Sequence, residues 1–417
     1  MNITLLKEID ELIKKKDYKE GLKMLENTDA DGLALVDKAY YYYLLGEAYC
    51  MTGSGEAGKY LEKAREMYIV FEKMGIVEPS VILQHFRCMI SLGIWNYKSG
   101  YFDLAEKLFN SASVDILKYD HEFEEADRML ARQVQVKALT TGKVRLLDKT
   151  RRFKESMYIQ ERAEIIRNKL DLSGFKESML ERYIVTRERF EHLVNSGRFE
   201  EAYIQIEELI GCGRDLLVEN FKLYCEEAGK AFISAAGLYM KFENVNAANF
   251  HATNAVTVLE DLCYEPYHCE YAEPVLASAY ICLAETYMTG GISADNYQKA
   301  EMFLLKGYEL AKKLFNSNSL LHMELFAEIN NLLAELYYIN RPNGEAAHKS
   351  VKYCMEAIRL FREMYVGRDE SAYWNQYSAS LFLMSSIYTE INKKLADKAA
   401  SEARKILKKH LFPGNIR

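Results

Sequence analysis

The chain has 417 residues, of which 49% are hydrophobic and only 5 are proline, and its formal net charge is −7. This acidic balance offers no general electrostatic attraction for nucleic acid or for an anionic membrane surface. No stretch reaches the roughly 18–20 apolar residues of a membrane span, and residues 1–16 alternate apolar with charged residues, unlike a signal peptide.

The first predicted element is a charged helical hairpin. Its two helices cover about residues 3–16 and 18–27, with Asp17 and Glu20 as the capping pair of the second helix. The next predicted helix contains the run Tyr40–Tyr43. Because successive helical side chains point all round the axis, we expect two or three of these rings to pack and at least one to face a groove or the neighbouring hairpin.

The hairpin around residues 92–112 shows the local pattern most clearly. Gly93 lets two helices approach closely, and Gly100 provides the left-handed exit that ends the first helix. Asp103 is expected to cap the second helix, with Glu106 completing a capping box. The apolar stripe of the second helix follows a helical period at Ala105, Phe109 and Ala112.

A similar pattern recurs along the whole chain. Leu283–Tyr287 (LAETY) returns fifty positions later as Leu333–Tyr337 (LAELY). A fixed period of this length predicts stacked supersecondary units that share one continuous core. The equivalent first-helix positions, 46–50 residues apart, are Leu45, Leu92, Leu139, Arg189, Ala235, Leu283, Leu333 and Leu383.

The hairpin at Leu92, Gly93, Ala105, Phe109 and Ala112 resembles the tetratricopeptide repeat (TPR), in a variant longer than the usual repeat of about 34 residues. The resemblance implies an all-α, right-handed α-solenoid of about nine antiparallel helix hairpins. We expect a single array over 1–417, with an N-terminal capping hairpin at 1–28, repeats over 29–392 and a C-terminal capping helix within 393–417.

One segment imitates a phosphate-binding loop. Residues 53–60, GSGEAGKY, satisfy both G-x-x-x-x-G-K and G-x-G-x-x-G. A phosphate-binding loop needs a preceding strand, and the P-loop also needs a Ser or Thr after the lysine. Here a predicted helix precedes the glycines and Tyr60 follows Lys59, so the pattern favours a helix–helix turn with Gly53 ending one helix and Ser54 as a candidate cap.

No metal site, cofactor or catalytic motif is predicted. Cys263, His268 and Cys269 lie close together, but they lack a second ligand pair at zinc-finger spacing. The 8 cysteines are sparse and favour reduced thiols in a cytoplasmic protein over a disulfide framework. We therefore expect a protein that is not an enzyme.

The densest basic run lies between Lys143 and Lys154 and also contains Asp148. It is expected to form the solvated turn of the third hairpin, with a patch for an acidic partner as the alternative. In TPR proteins the first helices of successive hairpins line the partner-binding face. Transferred to this chain, the candidate partner-binding positions are Tyr43, Glu47, Arg87, Tyr97, Lys98, Lys137, Arg187, Glu191, Lys230, Lys241, Glu285, Asn331 and Glu335.

These positions change from mostly basic in the middle hairpins to acidic and amide-bearing in the later ones, which suggests a bipolar groove that orients an extended segment. The resemblance implies a non-catalytic, cytoplasmic scaffold of bacterial origin that binds a protein or peptide. The alternative is a peptide-gated signalling receptor similar to bacterial quorum-sensing TPR regulators, without an evident DNA-binding module. No membrane or nucleic-acid partner is expected, and homo-oligomerisation is left open.

Overall fold

The computed structural model describes residues 3–15, 17–172, 179–264, 267–290, 293–339, 344–389 and 391–411. Over these ranges the regular secondary structure is helical and contains no β-strand. None of the helices described is long and apolar enough to cross a bilayer. The chain divides into two compact units, Met1–Gln205 and Ile206–Arg417. The expected capping segments and single array over 1–417 stay predictions.

The first unit is built from helical hairpins joined by short turns. A π-helical segment, Ala138–Val144, leads directly from α7 into α8. Single 3₁₀ turns lie at Ala30–Gly32 and Asp115–Tyr119. The helices are α1 (Ile3–Lys14), α2 (Tyr18–Glu26), α3 (Leu35–Met51), α4 (Ala57–Lys73), α5 (Pro79–Lys98), α6 (Phe102–Val114), α7 (Glu125–Lys137), α8 (Arg145–Lys149), α9 (Phe153–Leu172) and α10 (Met179–Asn195).

The division between the units falls within α11 (Phe199–Glu219). In the second unit each first helix pairs with the helix that follows it. This regular pairing confirms the predicted TPR-like arrangement of antiparallel hairpins. The helices are α12 (Phe221–Lys241), α13 (Val245–Cys263), α14 (Glu273–Thr289), α15 (Ala294–Ser317), α16 (Ser319–Ile339), α17 (Gly344–Gly367), α18 (Glu370–Tyr388) and α19 (Lys393–Leu411).

Glycine in the first helix lets the two helices of a hairpin touch. A Cβ atom added at Gly93 would lie 2.5 Å from Cε1 of Phe109, and one added at Gly46 would lie 2.6 Å from Cγ of Leu61. Phe109 also fills the space over Gly142 in the following π segment. The close approach predicted at Gly93 is therefore confirmed, and one aromatic ring joins two successive hairpins.

The structure corrects one predicted cap. The Asp17 side chain accepts the backbone N–H of Glu20, as predicted, and Gly100 has a φ of 80° after the end of α5. The cap predicted at Asp103 is wrong, because α6 already begins at Phe102 and its start has no side-chain cap. Glu106, the expected capping-box partner, instead binds Arg152 at 2.7 Å.

The tyrosine run is buried more completely than its position on a helix suggests. All four rings, Tyr40 to Tyr43, are at most 7% exposed. The Tyr40 and Tyr43 hydroxyl groups hydrogen-bond to Asp10 and Glu47, and Nζ of Lys63 donates to the Tyr42 hydroxyl at 2.7 Å. Neighbouring charged side chains therefore make it possible to bury rings on every side of α3.

The third and fourth hairpins depart from the predicted register. Much of the basic run is helical, since the chain continues through the π segment into α8 and turns at residues 150–152. The expectation of a turn over the whole run is therefore wrong. In the fourth hairpin Arg189 is exposed, whereas the equivalent Leu92 and Leu333 are completely buried. Arg189, which the repeat pattern aligned with these leucines, therefore does not lie on the buried face of α10.

Candidate functional site

The first helices of successive hairpins pack side by side in each unit. In the first unit α3 contacts α5 and α5 contacts α7, and in the second unit α12, α14, α16 and α18 contact one another in order. We refer to each set as the first-helix layer of its unit. On these layers, side chains that are about one repeat apart in sequence meet. Each layer therefore brings the predicted partner-binding residues of its own unit together.

Three predicted positions form one cluster in the first unit. The Ser91 hydroxyl of α5 donates to Oε2 of Glu47 on α3 at 2.8 Å. Burial and the negative charge of Glu47 raise the pKa of Tyr43, and the nearby Arg87 guanidinium partly opposes this shift. Tyr43 is buried, whereas Glu47 and Arg87 are half-buried. This cluster is a polar contact between neighbouring first helices, from which two charged side chains still reach solvent.

Further along the same layer, the exposed side chains are basic. Lys98 and Lys137 are both exposed, and their charges act on the buried thiol of Cys50 from α5 and α7. Burial nevertheless raises the pKa of Cys50. Tyr97 is half-buried and its ring centroid lies 5.6 Å from that of Phe102 across the turn. The two lysines thus supply positive charge to this surface.

Arg187 and Glu191 of α10 belong to a polar contact that the sequence did not predict. Arg187 is buried, with Nε 3.3 Å from Glu191, and its guanidinium lies over the Tyr183 ring at 5.5 Å. Glu191 also binds Arg145 of α8 at 2.9 Å. One helical turn earlier, Thr141 donates to Glu188. Arg187 is consequently held by its neighbours within the unit.

The same contact continues into a buried histidine. Both carboxylate oxygens of Asp148 lie 3.2 Å from Nδ1 of His192, and the Ser156 hydroxyl oxygen lies 3.1 Å from the same nitrogen. A Ser–His–Asp triad needs the serine and the carboxylate on opposite ring nitrogens, so this geometry differs from a triad. We call the set Thr141, Arg145, Asp148, Glu188, Glu191 and His192 the polar seam.

A sequence signal for the polar seam does exist. Thr141, Arg145 and Asp148 are spaced i, i+4 and i+7, so they form one polar stripe if the segment is helical. The expected turn between Lys143 and Lys154 concealed the stripe, because it included Arg145 and Asp148. A π-helical segment often marks a position of functional or structural adjustment, and here it supplies Thr141 to the seam.

In the second unit, two carboxylates and a lysine come together on the first-helix layer. The pKa of Glu285 is raised to about 6, first by desolvation and then by the charge of Glu335, while the charge of Lys241 opposes the shift. Desolvation also raises the pKa of Glu335. Yet both side chains are exposed to solvent. A carboxylate that is exposed to solvent but also desolvated by nearby protein atoms lies in a recess. These side chains therefore indicate a recessed surface on α12, α14 and α16.

The remaining predicted positions of this unit lie on the same helices. Asn331 is half-buried, and its Oδ1 accepts the Ser380 hydroxyl of α18 at 2.7 Å. The half-buried Lys230 forms an ion pair with Glu226, one turn away on α12. Asn331 thus links two first helices, one turn before Glu335. Contact of these residues with a partner stays a prediction.

The segment that imitates a phosphate loop is a helix–helix turn. Gly53 follows the end of α3 with a φ of 75°, and the Ser54 hydroxyl accepts the N–H of Glu56 at 3.3 Å. Lys59 is 3.0 Å from Glu56. Gly53, Ser54, Glu56 and Lys59 therefore have local roles at this turn.

The sequence neighbours Cys263, His268 and Cys269 differ in their exposure to solvent. Cys263 and Cys269 are buried free thiols, while His268 is exposed with a φ of 51°. In the part of the chain that the structure describes, no three His, Cys, Asp or Glu side chains are grouped so that they could hold a metal ion.

These features define the fold as a TPR-like helical repeat. The solved structure of the apo form of RapI aligns with 14% sequence identity and a TM-score of 0.56, covering 100% of this chain and 99% of that chain. A Rap protein complexed with competence and sporulation factor aligns with 13% identity and a TM-score of 0.54, covering 98% of each chain. No family model matches the sequence, and no curated protein matches it. At these identities the two structures establish similarity of fold.

Proposed function

We propose that this chain is a non-catalytic scaffold that binds a protein or peptide segment on its first-helix layers, in the cytoplasm of a bacterium. The observation that carries the proposal is the recessed, charged surface at Glu285 and Glu335. Two partly desolvated carboxylates that also remain exposed to solvent gain most from a ligand that brings positive charge. The expected ligand of the second unit therefore carries a lysine, an arginine or a free amino terminus.

A second candidate function is a peptide-gated signalling receptor. A Rap protein of similar fold has been solved in complex with competence and sporulation factor, and RapI has been solved in its apo form. That a solved protein with this architecture binds a signalling factor supports a gated role beside the constitutive scaffold. The two candidates differ in whether binding changes the ability of the chain to engage a further protein.

The test is selection of peptides from a random library against the purified chain, followed by fluorescence anisotropy with single peptides. Replacing both carboxylates, Glu285→Gln with Glu335→Gln, should weaken the selected peptides about tenfold, corresponding to about 1.4 kcal/mol. Glu309→Gln serves as the matched control, because Glu309 is exposed on the second helix α15. Peptides that bind the double variant as tightly as the unaltered chain would refute this assignment of the site.

A further inference from the structure

A second surface lies on the opposite side of the hairpins from the first-helix layer. The second helices α17 and α19 border a groove of about 710 Å³ whose floor includes α18. Its lining includes the apolar side chains Ile358, Leu381, Met384 and Ala399. We call this the α17–α19 groove. It belongs entirely to the second unit.

Earlier pairs of second helices in this unit are joined by long side chains. Lys306 of α15 binds Glu260 of α13 at 3.0 Å. Between α15 and α17 the rings of Tyr308 and Tyr353 meet with their centroids 5.6 Å apart. Such contacts fill the space between neighbouring second helices.

The contact between α17 and α19 lies at one end of the groove. The Tyr365 hydroxyl is 3.3 Å from Nε2 of His410, near the ends of the two helices. Along the middle of α19 the inward positions are small, with Ala396, Ala399 and Ala403 buried. Short side chains at these positions leave the groove open.

Large apolar side chains are exposed along both borders of the groove. Met355 and Val366 of α17 are 56% and 71% exposed, and Leu395 of α19 is 42% exposed. Single exposed apolar residues are ordinary on protein surfaces, whereas several around one apolar groove indicate an interaction site.

The charges at the borders leave a positive excess. Glu363 lies 3.3 Å from Arg359, and Glu402 accepts the Tyr377 hydroxyl at 2.5 Å, so both carboxylates of the lining are engaged within the unit. Among the residues that the structure describes, Arg362 on α17 and Lys398 on α19 form no ion pair. The lining therefore carries three cations, Arg359, Arg362 and Lys398, against the two carboxylates of Glu363 and Glu402.

We propose that the α17–α19 groove binds one amphipathic helix of a partner protein, with an apolar stripe flanked on both sides by acidic residues. A groove between two helices accepts a third helix through its apolar stripe, and Arg362 and Lys398 complement acidic flanks. From Met355 to Val366 the border extends about 16 Å at 1.5 Å per residue, which corresponds to about three helical turns. This surface and its partner are distinct from those of the proposed function.

The test uses two designed helical peptides that share one apolar stripe, one with glutamate flanks and the other with lysine flanks. Anisotropy at low salt should show binding of the glutamate-flanked peptide, at least tenfold tighter than the other. The double variant Arg362→Glu with Lys398→Glu should lose at least tenfold of this affinity and reverse the preference. Lys394→Glu is the matched control, because Lys394 is exposed on α19 and does not line the groove. Circular dichroism establishes that each variant is folded.

Three results would overturn the proposal. The first is equal binding of both peptides, or binding that the double variant leaves unchanged. The second is a dissociation constant above about 1 mM for the glutamate-flanked peptide. The third is a concentration-dependent dimer that Val366→Arg abolishes, because the occupant would then be a second copy of the chain. If Val366→Arg does not fold, Val366→Ser provides the same comparison by light scattering.

Discussion

The ring of Phe109 packs directly on the backbone of Gly93, leaving no space for even one methyl group between them. We therefore expect Gly93→Ala to destabilise the protein by about 1–3 kcal/mol through overpacking. Gly142→Ala should act in the same direction, since it meets the same ring. Urea unfolding measures both changes.

Gly237→Ala provides the control for this prediction. Gly237 lies within α12, is exposed, and has no neighbour within 4 Å of an added Cβ. Alanine there should stabilise the protein by about 0.5–1 kcal/mol, because it reduces the backbone entropy lost on folding. Equal effects at Gly93 and Gly237 would contradict the close packing described here.

The buried contact between Asp148 and His192 should be important for stability. Asp148→Ala removes one partner of the buried His192 ring and leaves the Ser156 hydroxyl near the same nitrogen, so we expect a loss of about 1–3 kcal/mol. The variant with both residues replaced by alanine should lose less than the sum of the single variants, because the two side chains interact. Chemical unfolding of the three variants measures this coupling.

The variant Asp103→Ala tests whether Asp103 caps α6, as the sequence indicated. A true helix cap would cost about 1 kcal/mol when removed. The start of α6 has no side-chain cap, so the loss should stay within about 0.5 kcal/mol. A larger loss in the same unfolding assay would restore Asp103 as a cap.

The stability of the second unit should depend on pH through Glu285. Its pKa is raised from 4.5 to about 6, first by desolvation and then by Glu335. The folded state therefore binds more protons than the unfolded state between these values, and stability falls as the pH rises from about 4.5 through about 6. Glu285→Gln removes this loss, so its stabilising effect should be larger at pH 8 than at pH 5.

An NMR titration of the Glu285 carboxyl provides a direct measurement. Glu335→Gln should lower the pKa of Glu285, because it removes a neighbouring negative charge, whereas Lys241→Gln should raise it. Shifts in the opposite directions would show that these three side chains do not share one surface.

The thiols should be unreactive in the folded protein. All eight cysteines are free and buried, and burial raises the pKa of Cys282 and Cys354 to about 12. Because the thiolate is the reactive form, Ellman's reagent at pH 8 should modify the native chain far more slowly than the chain in guanidinium. Rapid native modification of several thiols would contradict this burial.

The sequence was sufficient to predict the architecture because its signals are local. Glycine next to a large residue, at Leu45–Gly46 and Leu92–Gly93, identified where two helices touch. The repeated LAE segments placed α14 and α16 in the same register. Such patterns depend on residues that are near each other in one hairpin.

Features that depend on contacts between hairpins were not predictable in the same way. Glu106 binds Arg152 and not the start of its own helix, because a cation from the next hairpin lies within reach. The polar seam was not predicted because the segment that carries Arg145 and Asp148 was expected to be a turn, whereas it is helical. The repeat pattern was sufficient to locate the candidate surface at Glu285. The desolvation of Glu285 depends on atoms of neighbouring helices, so the pattern could not predict it.

The polar seam joins α10 to α8 and the preceding π segment through charged and hydroxyl groups. Water could solvate the charged and hydroxyl groups of the seam if α8 and α10 separated locally. Amide protons on α8 and α10 should therefore exchange with deuterium earlier than those of the glycine-packed pair α5 and α6. We therefore expect α8 and α10 to open locally before the first unit unfolds as a whole.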